Sequence, residues 1–189
     1  MAKIEGTSAL KAGEKFTLDQ WRTWPEGERW ELIGGIAYAM SPAPRVPHQR
    51  LLGKLYTAIV IFFNGKPCEP FIAPVDVFLP DGVEDDADTV VQPDLFVVCD
   101  PSKVQDDGVH GAPDFIVEIV SESTAFKDMS DKKELYERAG VREYWIVNPR
   151  TLSIFRYELA GDRFAPAVEI VRGEAAASVA FPGFSWRAG

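Results

Sequence analysis

Phe115-Ile116-Val117-Glu118-Ile119-Val120 is a run of six residues in which a carboxylate is the one polar side chain. A continuous apolar run of this length is the pattern of a strand covered on both faces in the middle of a sheet. An ionised carboxylate in such a strand is costly unless a cation, a metal ion or several donors stand beside it. Glu118 therefore anchors a structural ion pair or belongs to a site, and its own run does not separate the two.

Working outward, the predicted strand spans Asp114 to Val120, after a polar connector containing Gly108, Gly111 and Pro113. Upstream, Asp94-Leu95-Phe96-Val97-Val98 forms a second apolar strand, introduced by Gln92-Pro93. Taken singly, an Asp after Pro at the mouth of a strand is a turn residue. Successive strands joined by a connector can lie side by side, however, and Asp94 and Glu118 then meet. Oxygen ligands from two strands are what a hard cation such as Mg²⁺ takes, with waters and a substrate phosphate completing its octahedron.

Downstream, Ala125 to Ala139 reads as a helix closed by Gly140. On it Met129, Leu135 and Tyr136 share the face of Lys132, with Asp128 at its edge. Lys133 lies further round, towards Ser130 and Glu137, and is expected in solvent. A lysine on a packed face must snorkel out or meet an anion. Lys132 is thus expected beside Glu118, either as a plain salt bridge or as the third member of a site.

The remaining segments fill in one mixed α/β domain. Thr17 to Trp21 reads as a capped helical turn, and Trp30 to Ile33 with Ile36 to Met40 as a hairpin around Gly34-Gly35. After the Ser41-Pro42-Ala43-Pro44 break, apolar residues recur at helical spacing from Pro47 to Phe63. Ile72 to Leu79 is a predicted strand, and Pro80 to Asp88 an acidic loop tip. Tyr144 to Val147 is another strand. Leu152 to Leu159 and Arg163 to Val171 form a hairpin around Gly161, and the tail from Val179 to Trp186 is expected to pack back on the core.

The composition narrows the class. The chain has 189 residues, is 46% hydrophobic, and holds 5 Trp, 5 Tyr and 12 Phe, enough for a real core. No export signal is visible, and the longest apolar run, Ala58 to Phe63, is too short to cross a bilayer. Cys68 and Cys99 lie far apart in sequence, so free thiols and a cytoplasmic setting are expected. Walker, dinucleotide, HExxH and GxSxG signatures are absent. Two histidines, His48 and His110, disfavour a histidine-rich zinc site. Glu84-Asp85-Asp86 with Asp88 lacks the spacing of a calcium loop. The net charge of −9 requires any basic face to be local, with Arg45, Arg50, Lys54, Lys127 and Lys133 as its candidates.

As a set, Gln92-Pro93-Asp94, Val117-Glu118-Ile119, Ser121-Glu122-Ser123-Thr124, Asp128, Lys132, Tyr136 and Gly140-Val141-Arg142-Glu143-Tyr144-Trp145 resemble the restriction-endonuclease-like branch of the PD-(D/E)XK nuclease superfamily. Trp30-Glu31-Leu32-Ile33, Gly35, the Ser41-Pro42 break and His48 extend the resemblance over most of the chain. It implies an α+β mixed sheet across a single domain, residues 1–189: a PD-(D/E)XK core with an N-terminal β-hairpin and extra C-terminal strands. It makes Asp94 the Asp of the PD motif and Glu118 the acid of (D/E)XK, the two metal ligands. Val120 stands where the motif lysine belongs, so the lysine has migrated to the next helix, as Lys132. Glu31 matches a further position, as a ligand or an acceptor behind the ligands. His48 matches another, read here as a residue at a helix start.

The resemblance implies a Mg²⁺- or Mn²⁺-dependent endonuclease hydrolysing DNA phosphodiester bonds. Its partners would be DNA as substrate and a second copy in a homodimer, with no membrane. Two alternatives stand beside it. One is a catalytically silent protein of this fold that serves as a nucleic-acid or protein interaction module. The other is a purely structural Asp–Glu–Lys network in an unrelated α/β protein.

Overall fold

A computed structural model describes residues 14–25, 29–40, 43–80, 89–120 and 130–188. Thr17 caps the short helix α1 (Leu18–Trp21), and its hydroxyl and the Gln20 side chain bond each other's backbone N–H groups. Strands β1 (Trp30–Ile33) and β2 (Ile36–Ala39) form the expected hairpin. Gly34 and Gly35 turn it with φ of 56° and 80°, the left-handed pair that a two-residue hairpin turn requires. Helix α2 (Val46–Phe63) buries Leu51, Leu52, Leu55, Ile59 and Phe63, the stripe expected from its spacing.

Strands β3 (Glu69–Ile72), β4 (Val77–Phe78), β5 (Val90–Val91) and β6 (Leu95–Val98) follow. A 3-10 turn (Pro101–Lys103) then leads to β7 (Val104–Gln105), β8 (Gly108–His110) and β9 (Phe115–Ile119). Helix α3 (Asp131–Ala139) ends at Gly140, φ 84°, and leads into β10 (Glu143–Val147). Residues 125–129 of the expected helix lie outside the described residues. The chain closes with β11 (Ile154–Ala160), β12 (Arg163–Phe164), β13 (Val168–Ile170), β14 (Ala175–Ala177) and β15 (Ser185–Arg187).

Among the described residues these strands make two mixed sheets and a small ribbon. One sheet runs β2-β1-β5-β4-β8-β7 and the other β12-β11-β10-β9-β6-β3, with β13 also on β11. In the second, β6 and β9 are antiparallel neighbours, while β9 and β10 are parallel, with α3 in the chain between them. β9 is buried throughout, as a central strand should be. Odd-numbered residues of β6 and β9 meet α2 and the C-terminal tail. Phe96, Val98, Ile116 and Val120 instead face Leu135 and Tyr136 of α3 and Val77, Leu79 and Val91 of the other sheet. The tail packs back as expected, burying Phe184 and Trp186.

Two expectations are corrected. The strand Ile72 to Leu79 is two strands in different sheets, because the chain turns at Ala73-Pro74 and Pro74 has no N–H for a ladder. Cys68 and Cys99, expected as free thiols, form a disulfide. The register explains it: Glu69 pairs with Val98, so the residues one step outward face each other. Among the described residues, no helix is long and apolar enough to cross a membrane.

Candidate functional site

The register that joins β6 to β9 sets the site. Leu95 lies opposite Val117, so one step on Asp94 comes opposite Glu118. The Glu118 side chain points to the α3 side of the sheet, and the Asp94 N–H reaches its Oε2 at 3.4 Å. Asp94 stands just before β6 and not inside it, where its carboxylate is free to fold back onto the neighbouring backbone. Its Oδ2 accepts the Ile119 N–H at 2.8 Å and lies 3.0 Å from His48 Nε2.

Helix α3 supplies the positive charge. Lys132 is buried, and its ammonium stands 2.8 Å from Glu118 Oε1 and 2.8 Å from Glu31 Oε1. One turn further along, Tyr136 donates its hydroxyl proton to the same Glu118 oxygen at 2.9 Å. Lys133 points elsewhere. It lies 3.8 Å from Glu137 and over the Tyr157 ring, only partly exposed, which makes it a poor rim cation. The inward phase expected of Lys132 is what the helix has.

Glu31 comes from the other sheet. It sits in β1, 2% exposed, and its Oε1 also accepts the Gln92 N–H at 3.1 Å. Gln92 is in turn held by its side chain, which donates to Asp76 at 2.7 Å and accepts from Arg29. Burial pushes the Asp76 carboxyl above its ordinary range, against the Gln92 hydrogen bond and the Arg29 charge.

The structure therefore brings Asp94, Glu118, Lys132, Glu31 and His48 into one connected cluster. The side chains reasoning from sequence passed over are Tyr136 as a donor and Gln92 as a brace. Tyr136 was visible as a residue on the Lys132 face. Gln92 gave no signal beyond its place before Pro93-Asp94. A further buried carboxylate, Glu143, opens the apolar run Tyr144 to Val147 just as Glu118 interrupts its own, and that signal was available. Its Oε2 accepts from Ser178 Oγ and from the backbone N–H groups of Val179 and Ala180 at 2.7–2.9 Å. Trp145 Nε1 donates to the other oxygen at 2.6 Å. Glu143 thus fastens the tail to β10.

Of the expected rim, Arg45, Arg50 and Lys54 are exposed on and just before α2, while Lys127 lies outside the described residues. The acidic stretch Glu84 to Asp88 lies outside them too. Asp107, in the β7–β8 turn, is held by His110 at 2.9 Å.

A mixed α+β sheet with Glu118 inside its central strand and Asp94 just before the neighbouring one fits a restriction-endonuclease-like protein. The family model described as "Uma2: Putative restriction endonuclease" matches residues 17–189, and the chain belongs to that family. Among solved structures it is similar to the crystal structure of a putative nuclease belonging to DUF820 from Anabaena variabilis ATCC 29413. The TM-score is 0.69 at 18% identity, over 87% of this chain and 89% of that one, a likeness of fold. No curated protein matches the chain.

Proposed function

We propose that this protein is a metal-dependent endonuclease that hydrolyses DNA phosphodiester bonds, with Asp94 and Glu118 as the ligands of one Mg²⁺ or Mn²⁺. The observation that carries the reading is the adjacency of two acidic residues at neighbouring strands: the Asp94 N–H lies 3.4 Å from Glu118 Oε2, and Asp94 Oδ2 accepts the N–H of Ile119, the residue after Glu118, at 2.8 Å. Among the described residues no group of three or more His, Cys, Asp or Glu side chains stands at metal-ligating spacing. The donor set still fits a hard cation, since Mg²⁺ takes one or two carboxylates and keeps waters and phosphate oxygens for the rest. Asp94 Oδ1 carries no hydrogen bond among the described residues and is available to such an ion.

When bound, a cation of this kind acidifies a water and stabilises charge on the phosphate. The chain's own residues do the rest. Lys132 holds positive charge and N–H donors beside the cluster, where they can orient the attacking water or offset charge on the phosphate. Glu31 fixes that ammonium from the opposite sheet, and Tyr136 fixes the Glu118 oxygen that Lys132 touches. Arg45, Arg50 and Lys54 would meet the phosphate backbone. The protein is read as a single domain, residues 1–189, and a homodimer would offer one site to each strand of a duplex.

One observation favours the second reading, a silent interaction module: the net charge of −9 opposes DNA over the molecule as a whole. The test is incubation with supercoiled, linear, single-stranded and branched DNA in Mg²⁺ or Mn²⁺. Cutting that stops with chelator and is lost in Glu118→Gln is the expected result. If wild type and Glu118→Gln are equally inert while the wild type binds Mn²⁺, the nuclease reading gives way to the module.

A further inference from the structure

His48 is the third residue of α2, and its side chain is only 13% exposed. A carboxylate that serves a cation is ionised and only accepts hydrogen bonds, so at 3.0 Å from Asp94 Oδ2 the proton belongs on Nε2. Nδ1 then carries a lone pair, and that atom is buried with no hydrogen-bond partner among the described residues. Among the described residues the imidazole is thus held by one hydrogen bond, and that bond goes to Asp94.

The second donor on the same oxygen is the Ile119 N–H, at 2.8 Å. Ile119 lies in β9 and His48 in α2, so the two donors reach Oδ2 from different elements. A single donor leaves a carboxylate more room to rotate about its Cβ–Cγ bond than two donors from different elements do. Two donors on one oxygen fix its plane and leave the other oxygen pointing one way. Partners behind a metal ligand act through such orientation.

We propose that His48 is a positioning residue for Asp94: with the Ile119 N–H it holds Oδ2 and so aims Oδ1 at the cation. This rests on the metal-binding reading above. The role is specific to the reach of Nε2. A Gln amide nitrogen extends to about the same place, whereas an Asn amide reaches only to the position of Nδ1.

The experiment is calorimetric titration of the purified protein with Mn²⁺ alone, alongside the metal-free melting temperature. His48→Leu and His48→Asn are expected to weaken Mn²⁺ binding roughly tenfold, and His48→Gln to stay within about threefold of wild type. Metal-free melting temperatures of the Gln and Asn variants should agree, which separates aim from folding. If His48→Leu binds Mn²⁺ as wild type does while Asp94→Ala does not, the positioning role is wrong and the metal site stands. If Gln and Asn lose affinity equally, His48 merely docks the helix. If wild type and Asp94→Ala both fail to bind Mn²⁺, the metal reading fails and this inference with it.

Discussion

Glu31 and Glu118 come from different sheets and end on one ammonium, each with Oε1 2.8 Å from Lys132 Nζ. All three side chains are nearly inaccessible to water, so removing the lysine leaves two buried carboxylates facing one another. Lys132→Met is expected to cost about 3 kcal/mol in urea unfolding. Glu31→Gln should cost less in that background than in wild type, because it then removes a repulsion. Additive losses would show that the bridge contributes no coupling.

Glu143 offers a test of a purely architectural carboxylate. It is fully buried and accepts four hydrogen bonds, three of them from Ser178, Val179 and Ala180. Glu143→Gln turns at least one acceptor into a donor facing donors, at a cost of about 2 kcal/mol. Hydrogen exchange at residues 178–180 should quicken, while Mn²⁺ binding should not change.

The first of these carboxylates was legible in the sequence and the second was overlooked, for a physical reason. Glu118 interrupts an apolar run, so its burial is read from its neighbours. Glu143 opens its run and looks like the polar end of a strand. Lys132 was legible because helical phase is local, and Asp94 because two strands that follow each other tend to pair. Glu31 was harder, since nothing in Trp30 to Ile33 says which layer will lie above it. The Ile119 N–H, a backbone donor, leaves no trace in a side-chain pattern. The cysteine pairing was misread because 31 residues separate partners that only the β3–β6 register brings together.

Two glycines should respond oppositely to a methyl group. At Gly108, φ is 145° and an added Cβ would stand 2.4 Å from the Asp76 carbonyl oxygen. Gly108→Ala is expected to destabilise by about 2 kcal/mol or more. Gly53 lies exposed within α2 with nothing near the position of a Cβ. Gly53→Ala should stabilise by about 0.5–1 kcal/mol. Thermal melts of the two variants check both signs.

Asp76 should show a pH dependence opposite to that of a salt-bridged carboxylate. Burial raises its folded pKa above the unfolded value, so the unfolded chain releases the proton first. Stability contributed by this group is complete below the unfolded value of 3.8 and falls as pH rises through the folded one. Asp76→Asn keeps an oxygen for the Gln92 amide and removes the charge. Its advantage over wild type should be present at neutral pH and vanish in acid; denaturant titrations at several pH values would reveal an opposite trend at once.

The disulfide and the His48 contact have a joint mechanical meaning. Both tie α2 and its exit to β6, one at each end of that strand: His48 to Asp94 before it, Cys68 to Cys99 after it. The helix is roughly 27 Å long, with His48 in its first turn and Cys68 five residues past its end. It is a beam clamped at two supports, so a load on Arg50 or Lys54 cannot slide it along the sheet. Reduction of the cysteines would free one support and leave a cantilever, whose remaining clamp is the histidine beside Asp94.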